Sequence, residues 1–279
     1  MHARTLDGGW GLEAPRLDGH SRRLFEPRDP ELDRGHALLG PVEVRGARPG
    51  MTLEVRIGAV EPGSWGWTRA AGWKSRVNDR LGLSDGESHM LVWKLDAANH
   101  TGRDQHGHEV SLRPFLGVIG MPPGEPGVHS TIPPRTCGGN MDCRELVAGS
   151  RLLLPVSVPG ALVSFGDGHA AQGDGEVSGL AIECPMDHVA LTFDLRDQPA
   201  LRTPLAETPA GWIALGFHDT LDEAAAIALD AMLDLMTRTH DVSRSDALAL
   251  ASVVVDLRVT QIANGVWGVH AVLPTGAIR

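Results

Sequence analysis

The chain has 279 residues, of which 42% are hydrophobic and 22% are charged, and its net charge is −10. These ordinary values for a globular protein exclude collagen, coiled coil and disorder as descriptions of the whole chain. No apolar run reaches the roughly 18 residues of a membrane helix, and an acidic chain lacks the basic footprint of nucleic-acid binding. We therefore expect no membrane and no nucleic-acid partner.

The three cysteines, Cys137, Cys143 and Cys184, suggest a reducing compartment, because their number is odd and low. The first residues contain no apolar stretch typical of a signal peptide. We therefore expect a cytoplasmic protein.

Short apolar or alternating runs, interrupted by glycine and proline, predict strands at residues 52–57, 152–158, 161–165, 179–183 and 188–195. Strands at this spacing predict sandwich-like or barrel-like sheets. Residues 62–107 hold four tryptophans between glycines and charged residues. This segment is expected to be a long loop beside a cleft, a partner surface, or a region that buries its tryptophans for structural reasons.

Two helices are predicted after residue 219. Thr220 and Glu223 have capping-box spacing, and Ala225, Leu229, Met232 and Met236 then mark one helical face, typical of core packing. Ser243 and Asp246 give a weaker start signal, and the following residues 247–257 are apolar nearly all round, which predicts a buried helix.

A closing hairpin is predicted from residues 259–263 and 266–273, joined at Asn264 and Gly265, since Asn-Gly suits a type I′ turn. The fold class is therefore mainly β with an α+β C-terminal part. Residues 1–200 form a mainly β region that carries the polar motifs. Residues 201–279 form the helical pair and hairpin, packed into the same globular unit.

The densest polar cluster is residues 166–176, between two predicted strands. Asp167 and His169 are two residues apart, so in an extended chain both side chains point to one side. A carboxylate and an imidazole on one face suit a metal ion, or a base with its orienting partner. The alternative is a glycine-rich hairpin without function.

A second cluster spans residues 133–144. The backbone amides of Gly138 and Gly139 could face a ligand oxygen as an oxyanion hole does, and Asn140 and Asp142 share one side if the chain is extended. The alternative is a simple loop that turns at the two glycines. Cys137 is a candidate nucleophile, but the sequence shows no adjacent base.

Glu183 ends an otherwise apolar run, where it is either solvated or buried for a reason. Burial would raise the pKa of its carboxyl, which benefits a general base. His129 lies in a predicted loop, and its side chain is expected to be either solvated or turned toward the site.

Taken in order, several motifs resemble the acetamidase/formamidase family of amide hydrolases, from residue 40 to the C-terminus. They are GPVEVRGARPGMTL (40–53), FLGVIG (115–120), GGNMD (138–142), LLLPV (152–156), GDGHAAQGDGEVSG (166–179), AIE (181–183) and DLRVTQ (256–261). The GGNMD and GDGHA segments together are quite specific.

The resemblance implies a mostly β homo-oligomer, at least a dimer, that hydrolyses short amides such as formamide and acetamide. It also implies a divalent metal, zinc or calcium. On this basis Asp142, Asp167 and His169 are candidate ligands of metal or water. Glu183 is the candidate general base, with Asp142 and Asn140 as further catalytic candidates.

The amides near Gly138 and Gly139 would polarise the substrate carbonyl, with Cys137 beside them in the substrate site. The chain departs from the family at Cys137, where a histidine is usual, and this change suggests altered metal affinity or a different substrate. A family segment before the strand at Met1 is expected to be missing, which puts activity in doubt.

Two alternatives remain. The first is a hydrolase of a larger or cyclic amide, whose wider pocket is shaped by the tryptophan-rich segment. The second is a non-catalytic, metal-binding β protein.

Overall fold

The computed structural model describes residues 1–18, 20–29, 31–197 and 201–279, which form sixteen strands and three helices. The strands are β1 (His2–Thr5), β2 (Leu38–Val42), β3 (Thr52–Pro62), β4 (Trp65–Ala70), β5 (His89–Asp96), β6 (Thr101–Asp104), β7 (Glu109–Ser111), β8 (Phe115–Gly120), β9 (Gly138–Asn140), β10 (Arg151–Pro155), β11 (Val163–His169), β12 (Met186–Arg196), β13 (Leu205–Thr208), β14 (Gly211–His218), β15 (Asp256–Gln261) and β16 (Trp267–Pro274). The helices are α1 (Arg76–Leu81), α2 (Leu221–His240) and α3 (Arg244–Val254). The predicted class, mainly β with two C-terminal helices and a final hairpin, is confirmed.

The strands form three antiparallel sheets. An eight-stranded sheet has the order β1-β12-β3-β10-β13-β14-β16-β15, and two four-stranded sheets have the orders β2-β11-β8-β9 and β4-β5-β6-β7. The large sheet contains strands from both sides of residue 200, because β10 pairs with β13. The boundary predicted there therefore falls within one sheet.

The main hydrophobic core lies between the large sheet and the β2-β11-β8-β9 sheet. Leu53, Val55 and Ile57 of β3 pack in one buried cluster with Leu116 of β8 and Phe165 of β11. The alternation seen in the sequence of β3 therefore corresponds to one face turned to this core. These contacts hold the β2-β11-β8-β9 sheet against the large sheet. Within the smaller sheet, β11, β8 and β9 lie side by side, so their ends are close together.

Helix α2 covers the C-terminal half of the large sheet. Its N-cap is Thr220, whose hydroxyl accepts a hydrogen bond from the Glu223 N–H, as predicted. Met232 and Met236 are fully buried in a second core cluster formed with the sheet. Gly216 of β14 permits this close packing, since a methyl group there would collide with the backbone of α2.

Helix α3 begins after the predicted cap, Ser243, but the prediction that it is buried all round is wrong. Ala247 and Ala251 are its buried residues, whereas Leu248 and Val253 are exposed. The helix packs against α2 and β16, with Leu250 and Val254 partly buried beside the two alanines.

Three other predictions about elements are corrected. Residues 62–107, expected to be irregular, form β4, α1, β5 and β6, because tryptophans among glycines and charged residues obscured the strand pattern. The predicted strand at residues 179–183 is an irregular segment with isolated bridges at Glu183. The GDGH motif, expected between strands, is the end of β11 itself.

The predicted C-terminal hairpin is present, but its turn differs from the expected two-residue type. Five residues, 262–266, connect β15 and β16, and of Asn264 and Gly265 the glycine alone has a positive φ. The Gln261 side chain explains the wider turn, because its Oε1 accepts hydrogen bonds from the N–H groups of Ala263 and Asn264.

None of the helices described is long and apolar enough to cross a membrane.

Candidate active site

A cavity of about 260 Å³ lies beside the ends of β9 and β11, and residues 176–183, which follow β11, form part of its wall. Four acidic side chains and two imidazoles line it: Asp142, Asp167, Glu176, Glu183, His36 and His169. Asp142 follows β9, and Asp167 and His169 belong to β11. Neighbouring strands therefore bring residues from separate motifs to one place. Among the described residues that line the cavity there is no lysine or arginine.

His169 is the centre of this group, at 1% exposure. Its Nε2 atom lies 3.5 Å from Asp167 Oδ2 and 3.4 Å from Glu183 Oε1, and its Nδ1 atom is 3.9 Å from Asp142 Oδ1. Phe115 packs edge-on against the ring at 5.1 Å. The imidazole is therefore held by packing on one side and surrounded by carboxylates on the other.

Gln172 determines which nitrogen of His169 carries hydrogen. Its Nε2 amide donates to the backbone carbonyl of Asp142 at 2.7 Å, so its Oε1 faces His169 Nδ1 at 2.9 Å as an acceptor. His169 Nδ1 must then be the donor. In the neutral ring, Nε2 therefore presents a lone pair to the cavity, next to Asp167 and Glu183.

Two glycines make room for the carboxylates. A methyl group at Gly117 of β8 would lie 2.6 Å from Asp142 Oδ1 and 2.7 Å from Asp167 Oδ2. A methyl group at Gly8 would collide with Asp167 Oδ1. Any side chain at these positions would displace the acidic group, because these separations are far below contact distance.

Three of the acidic residues have left-handed backbone conformations, with φ of 47° at Asp142, 58° at Asp167 and 44° at Glu176. A non-glycine residue in this region costs about 1–3 kcal/mol. Such strain persists where the surrounding structure imposes it, and it concentrates at functional sites. The backbone here is set by the position that each carboxylate must occupy.

Burial and the repulsion between neighbouring carboxylates shift the pKa values of the acidic residues in the cavity. Burial raises the pKa of Asp142 to about 7, although the charge on His169 opposes it. Burial, with the charge of Asp142, also raises the pKa of Glu176 well above its usual value. Burial, with the charge of Asp167, raises the pKa of Glu183.

The pKa values of His169 and Asp167, by contrast, both shift in the direction that favours the charged form. Burial disfavours both charges, but the carboxylates of Glu183 and Asp167 outweigh it and raise the pKa of His169 well above its usual value. The charges of His36 and His169 likewise outweigh burial and hold the pKa of Asp167 below its usual range. The cavity thus combines a carboxylate whose pKa is lowered with carboxyls whose pKa values are raised.

The second predicted cluster is only partly at the cavity. Asn140 lines it, and its Nδ2 donates to the Ile132 carbonyl at 3.0 Å. Gly138 does not serve as predicted, because its N–H is already bonded to the Arg135 carbonyl at 3.0 Å. Gly139 lies in the wall of a neighbouring cavity.

Cys137 is also placed away from the acidic cavity. It is buried, and its thiol contacts the Met121 carbonyl at 3.2 Å. Burial raises the pKa of this thiol, which disfavours a nucleophilic thiolate. His129 is exposed and bonds to the carbonyl of Glu125. Neither residue is among the described residues that line the cavity.

Three cavity residues were given no role from the sequence. His36 lies 3.8 Å from Asp167 Oδ2, but it precedes the matching motifs. Glu176 stood within the GDGHAAQGDGE motif, which was the available signal. Asn264 donates to Asp142 Oδ2 at 2.6 Å, and its place in an Asn-Gly turn concealed this contact.

The fold and the site together define a mostly antiparallel β protein with a buried carboxylate–imidazole centre. The model of the Acetamidase/Formamidase family matches residues 25–129 and 125–209, more than half of the chain. The chain therefore belongs to the acetamidase/formamidase family.

The chain is similar to the acetamidase of Mycolicibacterium smegmatis at 26% identity, in an alignment that covers 57% of this chain and 53% of the relative. The formamidase of Methylophilus methylotrophus is 27% identical, in an alignment that covers 57% of this chain and 51% of the relative. The chain thus spans about half the length of the curated relatives that it matches.

A crystal structure of an acetamidase from Bacillus halodurans has the same fold. The two structures superpose with a TM-score of 0.83 at 27% identity, over 98% of this chain and 88% of the other.

Proposed function

We propose that this protein hydrolyses short-chain amides such as formamide and acetamide to the acid and ammonia. The observation that carries the proposal is the arrangement of Asp142, Asp167, His169 and Glu183 around one small cavity. Relatives named acetamidase and formamidase support the substrate class. A volume of about 260 Å³ suits a small substrate with an attacking water.

The donor set fits a divalent metal, which we propose to be zinc or calcium. Asp142, Asp167 and His169 offer ligand atoms within 4.8 Å of one another, and so do His169, Glu176 and Glu183. Asp142 Oδ1 and Glu176 Oε2 are buried without a hydrogen-bond partner among the described residues. A metal-ligating histidine usually donates its other N–H to an oxygen, as His169 does to Gln172.

We propose Asp142, Asp167 and His169 as the ligands of such a metal. When bound, it would polarise the amide carbonyl and make water more acidic. Three carboxylates and an imidazole at this distance need a balancing positive charge, because buried charges are costly without one. Protons supply it in part, as the raised pKa of Asp142 indicates.

Glu183 is the proposed general base. Its Oε1 accepts a hydrogen bond from the Ala181 N–H at 3.0 Å, which fixes the carboxyl at the cavity. The raised pKa of this carboxyl lets it take a proton from the attacking water and return it to the leaving amine near neutral pH.

The substrate carbonyl needs a donor, and we propose the Asn264 side chain for this role. Its Nδ2 has two hydrogens, of which one is used on Asp142. It lines the cavity, whereas the Gly138 amide is occupied. Asn140, whose Nδ2 bonds to the Ile132 carbonyl, is a proposed support of the cavity wall.

The test is ammonia release from formamide, acetamide and propionamide by the purified protein, with its metal content assayed in parallel. Turnover that a chelator abolishes and zinc restores is the expected result. Turnover of larger or cyclic amides alone would indicate the wider-substrate alternative; it is measured as the acid or the ring-opened amino acid, because a cyclic amide releases no ammonia. Bound metal without turnover on any amide would indicate a non-catalytic protein and contradict the proposal.

We also propose that the protein is a cytoplasmic homo-oligomer, at least a dimer. Three buried cysteines with free thiols support a reducing location. Light scattering after gel filtration measures the subunit number, and the mass of a single chain would contradict this proposal.

A further inference from the structure

A chain of ion pairs lies behind the cavity. Arg258 of β15 donates to Asp174 Oδ2 from Nε at 2.7 Å, and its Nη1 lies 2.8 Å from Glu145 Oε1. Arg113 binds both oxygens of Glu145 from the other side. Glu145 is 2% exposed, so this carboxylate depends on the two guanidinium groups for compensation.

The same place holds three possible metal ligands, since Glu145, Asp174 and His270 offer atoms within 4.8 Å of one another. The charges argue against a cation there. Two arginines already occupy both oxygens of Glu145 and one of Asp174. A divalent ion would have to displace or approach these positive groups, so the cluster is better explained as a structural ion-pair chain.

The cluster joins the two loops that carry acidic residues of the cavity. Glu145 is three residues after Asp142, and Asp174 is two residues before Glu176. The backbone N–H of Gly175 also bonds to the carbonyl of Thr260 at 3.1 Å, which ties the second loop to β15. Arg258 contacts both loops, the first at Glu145 and the second at Asp174, and Gln172 also joins them by donating to the Asp142 carbonyl.

External support of this kind is needed because Asp142 and Glu176 both have left-handed φ values. An isolated loop would relax out of such a conformation, so surrounding contacts must hold it. Among the described residues neither Asp142 nor Glu176 pairs with an arginine or lysine, whereas Glu145 and Asp174, two or three residues away from them in the chain, both pair with Arg258.

We propose that Arg258 is a positioning residue for the reaction, which holds the Asp142 and Glu176 loops in register by clamping Asp174 to Glu145. The proposal rests on the proposed function, because it assigns Arg258 a role in that same site. Its planar guanidinium reaches two carboxylates at once, a geometry that the single ammonium group of lysine does not reproduce.

The experiment compares Arg258→Gln, Arg258→Lys, Asp174→Asn and the Asp174→Asn/Arg258→Gln double variant with the wild-type protein. The control is Arg196→Gln, which removes a half-buried arginine from another buried carboxylate, Glu54, in the large sheet. For each protein we would measure kcat and KM for acetamide, affinity for zinc by competition with a chelator, and Tm.

We expect Arg258→Gln to lower kcat about tenfold or more with little change in KM. It should weaken zinc binding by up to about tenfold, the lower end of the effect of losing a direct partner of a metal ligand, because Arg258 acts on Asp142 only through Glu145. Arg258→Lys should recover part of both losses. The double variant should lose no more than either single one, because both break the same contact. Arg196→Gln should lower Tm alone.

The proposal is overturned if Arg258→Gln keeps kcat within twofold and zinc affinity unchanged. It is also overturned if Arg196→Gln, at an equal loss of Tm, loses as much of both. If the wild-type protein binds zinc but hydrolyses no amide, the proposed function fails while zinc affinity still tests Arg258. If it turns over amides without binding zinc, kcat decides, and a wild-type protein that does neither contradicts both proposals.

Discussion

Burial and a neighbouring imidazole act on the Glu183 carboxyl in opposite directions, and burial prevails. The substitution Glu183→Gln keeps the shape of the side chain and removes the carboxylate that accepts the proton. We expect kcat for acetamide to fall by about 10²- to 10⁴-fold, the usual contribution of a general base, with a Tm no lower than that of the wild-type protein. A stopped assay for ammonia measures the loss.

The matched control is Glu61→Gln, an exposed glutamate on β3. It should leave kcat unchanged. If Glu183→Gln retained more than a tenth of the wild-type kcat, another group would have to be the base.

Leu180 and Ile132 form the apolar part of the cavity wall. Leu180→Ala should enlarge the space beside the acyl group and raise the ratio of kcat/KM for propionamide to that for acetamide by about tenfold, since one methylene is worth about 1–3 kcal/mol in a pocket. Val177→Ala, at an exposed residue in the same segment, is the control. An unchanged ratio would mean that Leu180 does not face the acyl chain.

At the level of single residues, the sequence identifies four of the charged side chains that line the cavity. Asp142, Asp167, His169 and Glu183 come from three separate motifs, and the structure brings them together. His36 could not be found, because its contact with Asp167 spans more than a hundred residues and leaves no local pattern. The positions of Cys137 and Gly138 could not be found either, since the direction of a side chain or amide in a turn depends on its strand partners.

Strand β8 supports the carboxylates from beneath, and Gly117 is its point of closest approach. Gly117→Ala should force Asp142 and Asp167 apart. We expect a loss of about 1–3 kcal/mol in the free energy of unfolding from overpacking, and a fall in kcat of about 10²-fold, because a displacement near 1 Å has that effect. Thermal unfolding and kcat for acetamide measure the two effects.

Gly173→Ala is the control for this prediction. Gly173 lies in the loop after β11, and a methyl group there meets no atom within 4 Å. It should change neither quantity by more than a small amount. Equal effects of the two variants would show that the close approach at Gly117 has no functional importance.

The elements show where sequence patterns are sufficient. Helix α2 was predicted from its cap and apolar spacing, because both are local properties of consecutive residues. Strands β4 to β6 were missed, since their tryptophans and glycines satisfy no simple alternation and their stability comes from pairing with one another. The burial of α3 was overestimated for a related reason, because the composition of a helix does not show which of its faces another element covers.

For the molecule as a whole, the buried acidic group should make stability depend on pH. The pKa values of Glu176 and Glu183 are raised in the folded state. The folded protein therefore keeps protons on these carboxyls that the unfolded chain releases above the ordinary pKa of 4.5. His169, with its raised pKa, likewise keeps a proton above pH 6.5. These groups bind more protons when folded, so they lower the free energy of unfolding as the pH rises.

His270 acts in the opposite sense over a lower range. Burial lowers the pKa of this histidine to about 4, so the unfolded chain binds the extra proton between pH 4 and 6.5, and stability rises with pH there. Above pH 6.5 this contribution is complete. The metal-free protein should therefore lose stability from pH 6.5 to 9, and denaturant unfolding at several pH values measures the slope.

Glu176→Gln should make that slope shallower, because the variant carries no proton to lose, whereas Glu87→Gln, at an exposed residue, should leave it unchanged. Zinc at 100 times its dissociation constant at pH 7 should add about 2.7 kcal/mol. At that fixed zinc concentration the gain should grow with pH, since the ligands must be deprotonated. A metal-free protein equally stable from pH 6.5 to 9 would show that the buried carboxyls and His169 do not hold these protons, and the role of general base assigned to Glu183 would have to be abandoned.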